Sequence, residues 1–480
     1  MEGNQQITSK RQLKLIQAVK ANDDSVENSL ATTSRNLQII NHQDKDESNN
    51  DYTYVGHLED FFENEMGAYH VGNEVSNASI VRHFCSQMKT DDAFYIVDLS
   101  YFVKRYLQWL HYLPRVKPYY AVKCNPNKFI IKTLAHQDIG FDCASAEELD
   151  LVLATCPSIN CEKKIIYSHP CKPISHIKYF RQHHVQMTVI DNEDELFKIK
   201  EHWSDAKVLL RLKITKNGNS MSTKFGANQY QIIKLLKLAK QLNINLVGCS
   251  FHVGSQCSDR NLYEQTLQFA RKIFDLATTE ECGGFKFTIL NIGGGFPVQF
   301  SEVAEMIQDM IDKLFPEEEG IQLMSEPGRY FTSESTMLIC NIIARRTHNK
   351  DYSSEEEEEV ECHTRITKEE DEKDLIRKAD ILYYINDGIY GTFNAIIFDQ
   401  KLFYVNYMRK YMKKEEEQEY KSVIFGPTCD GIDCISNSIS LPLLNIGDYL
   451  WFSNVGSYTN SCATSFNGFK TKKYFFIWRS

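Results

Sequence analysis

The feature that most narrows the folds open to this chain is a rhythm of eight short apolar segments, each followed by a helical pattern. They read PYYAVKC (118–124), GFDCAS (140–145), KIIYSHP (164–170), QMTVIDN (186–192), KVLLRLKI (207–214), LVGCSFHVG (246–254), FTILNIGGG (287–295) and IQLMSEPG (321–328). The stretches between them place apolar residues at a 3.6-residue period, as in NQYQIIKLLKLAKQLNIN and EQTLQFARKIFDLA. Continuous apolar strands alternating with amphipathic helices indicate parallel βα units, because a parallel strand is covered on both faces. Eight such units specify a (β/α)8 barrel of the TIM type, with a doubly wound open sheet as the alternative.

After Tyr330 the pattern changes. ILYYIND, YKSVIFG, DYLWFSN and KKYFFIWR alternate with Gly, Pro and Asn turns, and no long helix intervenes. The expected fold class is therefore α/β, a TIM-like barrel plus a C-terminal all-β domain. Residues 1–52 are polar and poor in aromatics, a composition that buries too little surface to offset ordering entropy. They are expected to be mostly disordered, with room for a short amphipathic helix around Lys10–Val19. Residues 53–97 read as a lead-in that adds strands to the β domain, 98–335 as the barrel and 336–480 as the β domain. The acidic run DYSSEEEEEVECHTRITKEEDEKD repels itself, so 350–375 is expected to be a disordered insertion.

Composition excludes some partners. A formal charge of -10 argues against nucleic acid, since phosphate binding wants a basic face. No apolar run approaches the length of a bilayer span, and the N-terminus has no continuous apolar core of a secretory signal. The 14 cysteines include no C-x-x-C pair, so they read as reduced thiols in the cytoplasm, and no metal site is indicated.

In such a barrel the chemistry gathers at the C-terminal ends of the strands. Reading those ends gives Lys123, Asp142, His169, Arg211, His252 with Ser255, the glycines Gly293, Gly294 and Gly295, and Glu326-Pro327-Gly328-Arg329. Lys123 poses the sharpest question, because PYYAVKCNP reads as a buried strand ending in an amine. Either the lysine snorkels into water, the commoner case, or its amine does covalent chemistry. The triplet in NIGGGFP removes side chains where a strand is expected to turn into a helix, which lets backbone N–H groups approach a phosphate. Arg329 follows the eighth strand, where barrels often bind phosphate. An amine, a phosphate cradle and a carboxylate together suggest pyridoxal phosphate, with Glu326 as the acidic partner of its ring nitrogen.

PYYAVKCN, GFDCAS, SFHVGSQC, IGGGFP, EPGRY, NDGIYGTFN, GPTCDGID and SFNGF, in that order, resemble the eukaryotic ornithine decarboxylases, which belong to the alanine-racemase-like pyridoxal enzymes of fold-type III. The resemblance implies decarboxylation of L-ornithine to putrescine, the first step of polyamine biosynthesis. It implies that Lys123 forms the Schiff base, with Asp142 and Glu148 near it, that His252 stacks on the cofactor ring, and that Glu326 pairs with the ring nitrogen. Ser255, the three glycines, Arg329 and Tyr458 would hold the phosphate, with Pro327 and Gly328 in the same cofactor-binding run and Arg211 close by. Members of the family are head-to-tail homodimers with shared active sites. Cys429 from the partner subunit would protonate the carbanion, Asp430 would bind the distal amine together with Asp399 of the first subunit, Phe398 would border that pocket, and Phe466 would lie near the interface. Two carboxylates suit a strongly hydrated ammonium that must be buried. For Cys429 the plainer reading is a buried core cysteine.

Three departures stand out. Asn291 occupies a position usually held by Asp, with a small expected effect; Phe398 replaces a frequent Tyr; and the sequence stops at FFIWRS, so rapid turnover through a longer tail is not expected. The basic stretch CKPISHIKYFRQHH lies where family members meet antizyme, which makes antizyme a candidate partner, although a solvated helix face is the plainer account. Two other readings compete with ornithine decarboxylation. One is a decarboxylase of lysine, arginine or diaminopimelate; the other is an inactive, antizyme-inhibitor-like binding protein.

Overall fold

The computed structural model describes residues 60–216, 219, 220, 224–347, 378–410 and 418–480. The N-terminal segment, the helix expected around Lys10–Val19 and the acidic insertion lie outside the described residues. The described chain divides into two compact units, Ser100–Ser333 and a second unit formed by residues 60–99 with Glu334–Ser480.

In chain order, β1 (Tyr69–Val71) and β2 (Phe94–Asp98) belong to the second unit. The first unit then supplies β3 (Val116–Ala121), β4 (Gly140–Cys143), β5 (Ile165–Tyr167), β6 (Met187–Ile190) and β7 (Lys207–Arg211). A small antiparallel pair follows, β8 (Thr215–Lys216) with β9 (Asn219–Ser220). Three more strands, β10 (Leu246–Ser250), β11 (Ile289–Asn291) and β12 (Gln322–Ser325), complete the set. Strands β3–β7 and β10–β12 close into one eight-stranded parallel barrel, with β12 pairing β3 and β7 pairing β10. Closure, rather than an open sheet, is what the rhythm of eight segments produces. Ile166, Val189, Leu209, Ile289 and Met324 fill part of its interior.

The helices between the strands start where the sequence offers side-chain oxygens. Ser145, Asn192 and Asp259 each accept a backbone N–H of the first turn, and Asn228 with Gln231 forms a reciprocal capping box. The helix Arg260–Ala277 buries Leu262, Thr266, Ala270, Ile273 and Ala277, a stripe at three- and four-residue spacing that covers the barrel.

The second unit is a nine-stranded sheet. It adds β13 (Thr336–Thr347), β14 (Ile381–Ile385), β15 (Val405–Met408), β16 (Glu419–Phe425), β17 (Cys434–Pro442), β18 (Tyr449–Phe452) and β19 (Lys473–Arg479). Its main path runs β1-β19-β2-β13-β14-β16-β17, so the lead-in does contribute strands, with β2 between β19 and β13. Ile80, Phe84, Phe94, Ile96, Ile339, Trp451 and Ile477 form its core.

Two local expectations are corrected. β3 ends at Ala121 rather than running through Lys123, because the chain turns into a 3-10 turn over Val122–Cys124. The glycine triplet does not open a helix either. The helix after β11 begins only at Ser301, six residues past Gly295. The triplet is small for another reason: a Cβ on Gly293 would lie 1.9 Å from the Phe251 carbonyl oxygen, and one on Gly295 2.0 Å from that of Gly254.

Candidate active site

Lys123, at the rim where the barrel strands end, is not buried. Its side chain is 42% exposed, yet its Nζ is paired with the carboxylate of Asp142, which has no exposed surface. Asp142 is the third residue of β4 and accepts a second hydrogen bond from the Ser168 hydroxyl, just past β5. A carboxylate with no exposure is tolerable because both oxygens are engaged. Glu148, in the first turn of the following helix, accepts the Ala144 N–H at 2.7 Å. Burial, reinforced by Asp142, pushes its carboxyl up to about 7.

Glu326 follows β12. Burial and the Asp142 carboxylate push its carboxyl well above the usual carboxylate range. Its backbone N–H reaches the Gly293 carbonyl at 2.7 Å, and its Oε1 accepts from Asn291 Nδ2 at 2.6 Å. Asn291 is the last residue of β11, and its Oδ1 accepts the Gly293 N–H at 2.9 Å. The residue expected to matter little therefore touches both a carboxylate and the glycine loop.

His252, beyond β10, accepts the Gly254 N–H on Nδ1 at 2.9 Å, which leaves the proton of the neutral ring on Nε2. Burial, with Arg211 and Lys123 nearby, lowers it to about 4, so the ring is neutral at physiological pH. Gly294 stands beside that Nε2; a Cβ there would lie 3.5 Å away. Arg329 donates from Nε to Ser255 Oγ at 3.1 Å, joining two of the expected anion ligands. Pro327 carries no N–H; its carbonyl instead accepts from Ala121 N, while a Cβ on Gly328 would come within 2.9 Å of Cys124 Cβ. These two residues hold the Glu326–Arg329 turn against β3. Arg211, at the end of β7, lies over the Phe225 ring, which Lys224 also approaches and which meets the His169 ring at a near-perpendicular angle.

This donor set fits a pyridoxal ring and its phosphate: an amine, a carboxyl held near the neutral range, a neutral imidazole face, and an arginine with a hydroxyl beside a side-chain-free loop. Ser168 carries no signal of its own in KIIYSHP, where the histidine after it is the more conspicuous chemical group. A hydroxyl just past one strand, next to a strand that carries an aspartate near its end, was the available signal.

The remaining expected residues lie in the second unit. Cys429 is exposed, so the core-cysteine reading fails. Its backbone N–H is held by Asn467 Oδ1 at 3.0 Å. Asp430 accepts from the Tyr390 hydroxyl, which holds its carboxyl below the ordinary value, and Phe466 packs on the Tyr390 ring at 4.5 Å. Buried Asp433 accepts Ile389 N, Thr428 N and Thr428 Oγ1, tying NDGIYGTFN to GPTCDGID. Asp399 closes a short helix, Ala395–Asp399, and Phe398 before it is 75% exposed. Tyr458 adopts φ +51°, a conformation costly for an aromatic residue.

A family model described as "Pyridoxal-dependent decarboxylase, pyridoxal binding domain" matches residues 99–333. The chain is 40% identical over 396 residues to ornithine decarboxylase of Rattus norvegicus, covering 80% of each. It is 39% identical to antizyme inhibitor 2 of Xenopus laevis, covering 80% of this chain and 81% of that protein. Among solved structures, the arginine decarboxylase of Paramecium bursaria Chlorella virus superposes with a TM-score of 0.71 at 30% identity, covering 84% of this chain and all of that one.

Proposed function

The chain belongs to the eukaryotic ornithine decarboxylase family of pyridoxal-phosphate-dependent decarboxylases, and from that premise we propose that it converts L-ornithine to putrescine and carbon dioxide. Its cofactor is pyridoxal phosphate, which when bound supplies the electron sink for the charge left as carbon dioxide departs. The observation that carries the reading is the Lys123–Asp142 pair on the same rim as Glu326, His252 and the Arg329–Ser255 contact.

Lys123 is the covalent anchor in this proposal, and Asp142 keeps its amine located. His252 covers one face of the ring as a neutral imidazole, so it adds no positive charge there. Glu326 faces the ring nitrogen, and its raised affinity for a proton suits a group that shares one with that nitrogen. Arg329, Ser255, the glycine triplet and Tyr458 take the phosphate, with Arg211 near it. Cys429 delivers the proton to Cα, a task that an exposed thiol can perform and a core thiol cannot.

Asp399 and Asp430 receive the distal ammonium. Two anions disfavour diaminopimelate, whose second carboxylate wants a cation. A homodimer with shared sites is part of the proposal. Its support is the exposure of Phe398 at 75%, Tyr404 at 82% and Ile432 at 64%, large apolar side chains of the kind that association covers. Antizyme is a further proposed partner. Within the basic stretch Lys172 is buried against Glu195, so recognition would rest on the cations of the helix that follows it, Ile174–Gln182. A pulldown that retains no antizyme removes this part. Among the described residues, no helix is long and apolar enough to cross a membrane.

The similarity to an antizyme inhibitor favours one competing reading, a binding protein without turnover. Carbon dioxide release from ornithine, lysine, arginine and diaminopimelate, measured in parallel with pyridoxal phosphate, decides. Fastest release from ornithine supports the proposal, faster release from another amino acid moves the error to the pocket, and no release with no bound cofactor supports the binding protein.

A further inference from the structure

Asn291 is fully buried, and both ends of its carboxamide are committed. Oδ1 accepts the N–H of Gly293 at 2.9 Å, so the amide cannot turn over without losing that bond. Nδ2 then faces Glu326 Oε1 at 2.6 Å as a donor that has no acceptor character. The Gly293 carbonyl in turn accepts the Glu326 N–H at 2.7 Å and the Ser325 hydroxyl at 2.6 Å, which closes a ring of bonds between the end of β11 and the end of β12. The position tolerates little movement, because a Cβ on Gly293 would strike the Phe251 carbonyl oxygen and Gly294 lies against that of Glu326.

We infer that Asn291 is a positioning residue of this site: it claims one Glu326 oxygen, leaves the other for the ring nitrogen of the cofactor, and couples that carboxylate to the phosphate-side glycine loop. The inference rests on the reading of Glu326 as the ring-nitrogen partner. A carboxamide does this without adding a titrating group. An aspartate of the same shape accepts the Gly293 N–H equally well, but it meets Glu326 with a second carboxylate, and two carboxylates at that distance must share a proton. The other charged or titratable groups facing Glu326 are Asp142, Lys123 and Arg211, with His252 close to the same three. None of them lies between Asn291 and the carboxylate it binds.

The test titrates cofactor-free protein with pyridoxal phosphate from pH 6 to pH 9, reading the dissociation constant and the visible absorption of the bound cofactor. Asn291→Ala, which removes the donor, should weaken binding roughly tenfold, the range of a lost hydrogen bond to a charged group. Asn291→Asp should bind much as the parent does at pH 6 and lose about tenfold as the shared proton leaves at higher pH. In the double variant Asn291→Asp with Glu326→Gln the bond persists with its direction reversed, and the added pH dependence should vanish while turnover stays low. Parental constants at every pH for both single variants overturn the inference, as does a double variant that keeps the pH dependence of Asn291→Asp. If Asn291→Ala does not fold, the comparison of Asn291→Asp with the double variant still decides. Glu326→Gln alone separates the two levels. Undiminished carbon dioxide release from it refutes the ring-nitrogen role of Glu326, whatever the Asn291 variants do.

Discussion

Lys123 Nζ is paired with a carboxylate, that of Asp142, which has no exposed surface, while 42% of the lysine side chain remains open to solvent. The asymmetry matters. The acid is fixed by the fold and a second donor, so the amine is located without being sealed off, as the covalent role proposed for it would need.

Lys123→Ala should therefore fail in two ways. It should lack the visible absorption of bound pyridoxal phosphate and lose most of its turnover. It should also leave Asp142 buried and unpaired, at a cost of about 1–3 kcal/mol, less than for a fully buried pair because the lysine is partly solvated. Urea unfolding of the cofactor-free variant measures the second effect, and equal stability would speak against the pair.

Ser168→Ala removes the other donor to Asp142. A loss of about 1–2 kcal/mol is expected, the range for a hydrogen bond to a charged group with partial relaxation. Cofactor affinity should fall with it, since Asp142 then loses one of its two constraints. Thermal unfolding and a pyridoxal phosphate titration check both.

Two half-buried groups should act on stability with opposite signs. Glu148 binds its proton more tightly in the fold, at about 7 against an ordinary 4.5, so its contribution is lost as pH rises through that window. His252 binds its proton less tightly, at about 4 against 6.5, so its contribution is lost as pH falls through the lower window. In cofactor-free protein, Glu148→Gln should gain on the parent at pH 8 and not at pH 4.5, and His252→Gln should gain at pH 4.5 and not at pH 8. Each gain should be on the order of 1–3 kcal/mol. Parallel curves for parent and variants across the range would refute the burial argument.

Gly293→Ala meets a hard limit. The residue has φ +64°, and an added Cβ would lie 1.9 Å from a backbone oxygen that cannot step aside. Strain of this kind costs about 1–3 kcal/mol before any clash is relieved. The variant should be less stable than the parent and bind pyridoxal phosphate weakly; a parental melting temperature would show that the loop moves freely.

Asp399→Glu extends a carboxylate by one methylene and shortens the pocket assigned to the distal ammonium. Ornithine turnover should fall by roughly tenfold to a few hundredfold, since one methylene in such a pocket is worth about 1–3 kcal/mol. Unchanged kcat/KM for ornithine would show that Asp399 is misplaced.

The barrel was legible because its strands are covered on both faces, and that burial writes itself into the chain as eight apolar runs. The candidate site was legible for a related reason. In a parallel barrel every strand points the same way, so the residues closing the runs share one rim without any knowledge of long-range pairing. Lys123, Asp142, His252, Glu326 and Arg329 follow from that rule and from the motifs around them.

What only the tertiary structure decided are relations between side chains far apart in sequence. That Ser168 donates to Asp142, that Asn291 donates to Glu326, and that Asp433 ties Thr428 to Ile389 depend on strand register and rotamers, which periodicity does not encode. The same holds for exposure. Sequence reading placed Lys123 inside a strand and allowed Cys429 in a core, whereas the fold leaves the lysine half-exposed just past β3 and the cysteine on the surface. Apolar pattern reports how much of a segment is covered; which neighbour covers it, and which side chain is left open, is set by packing between segments.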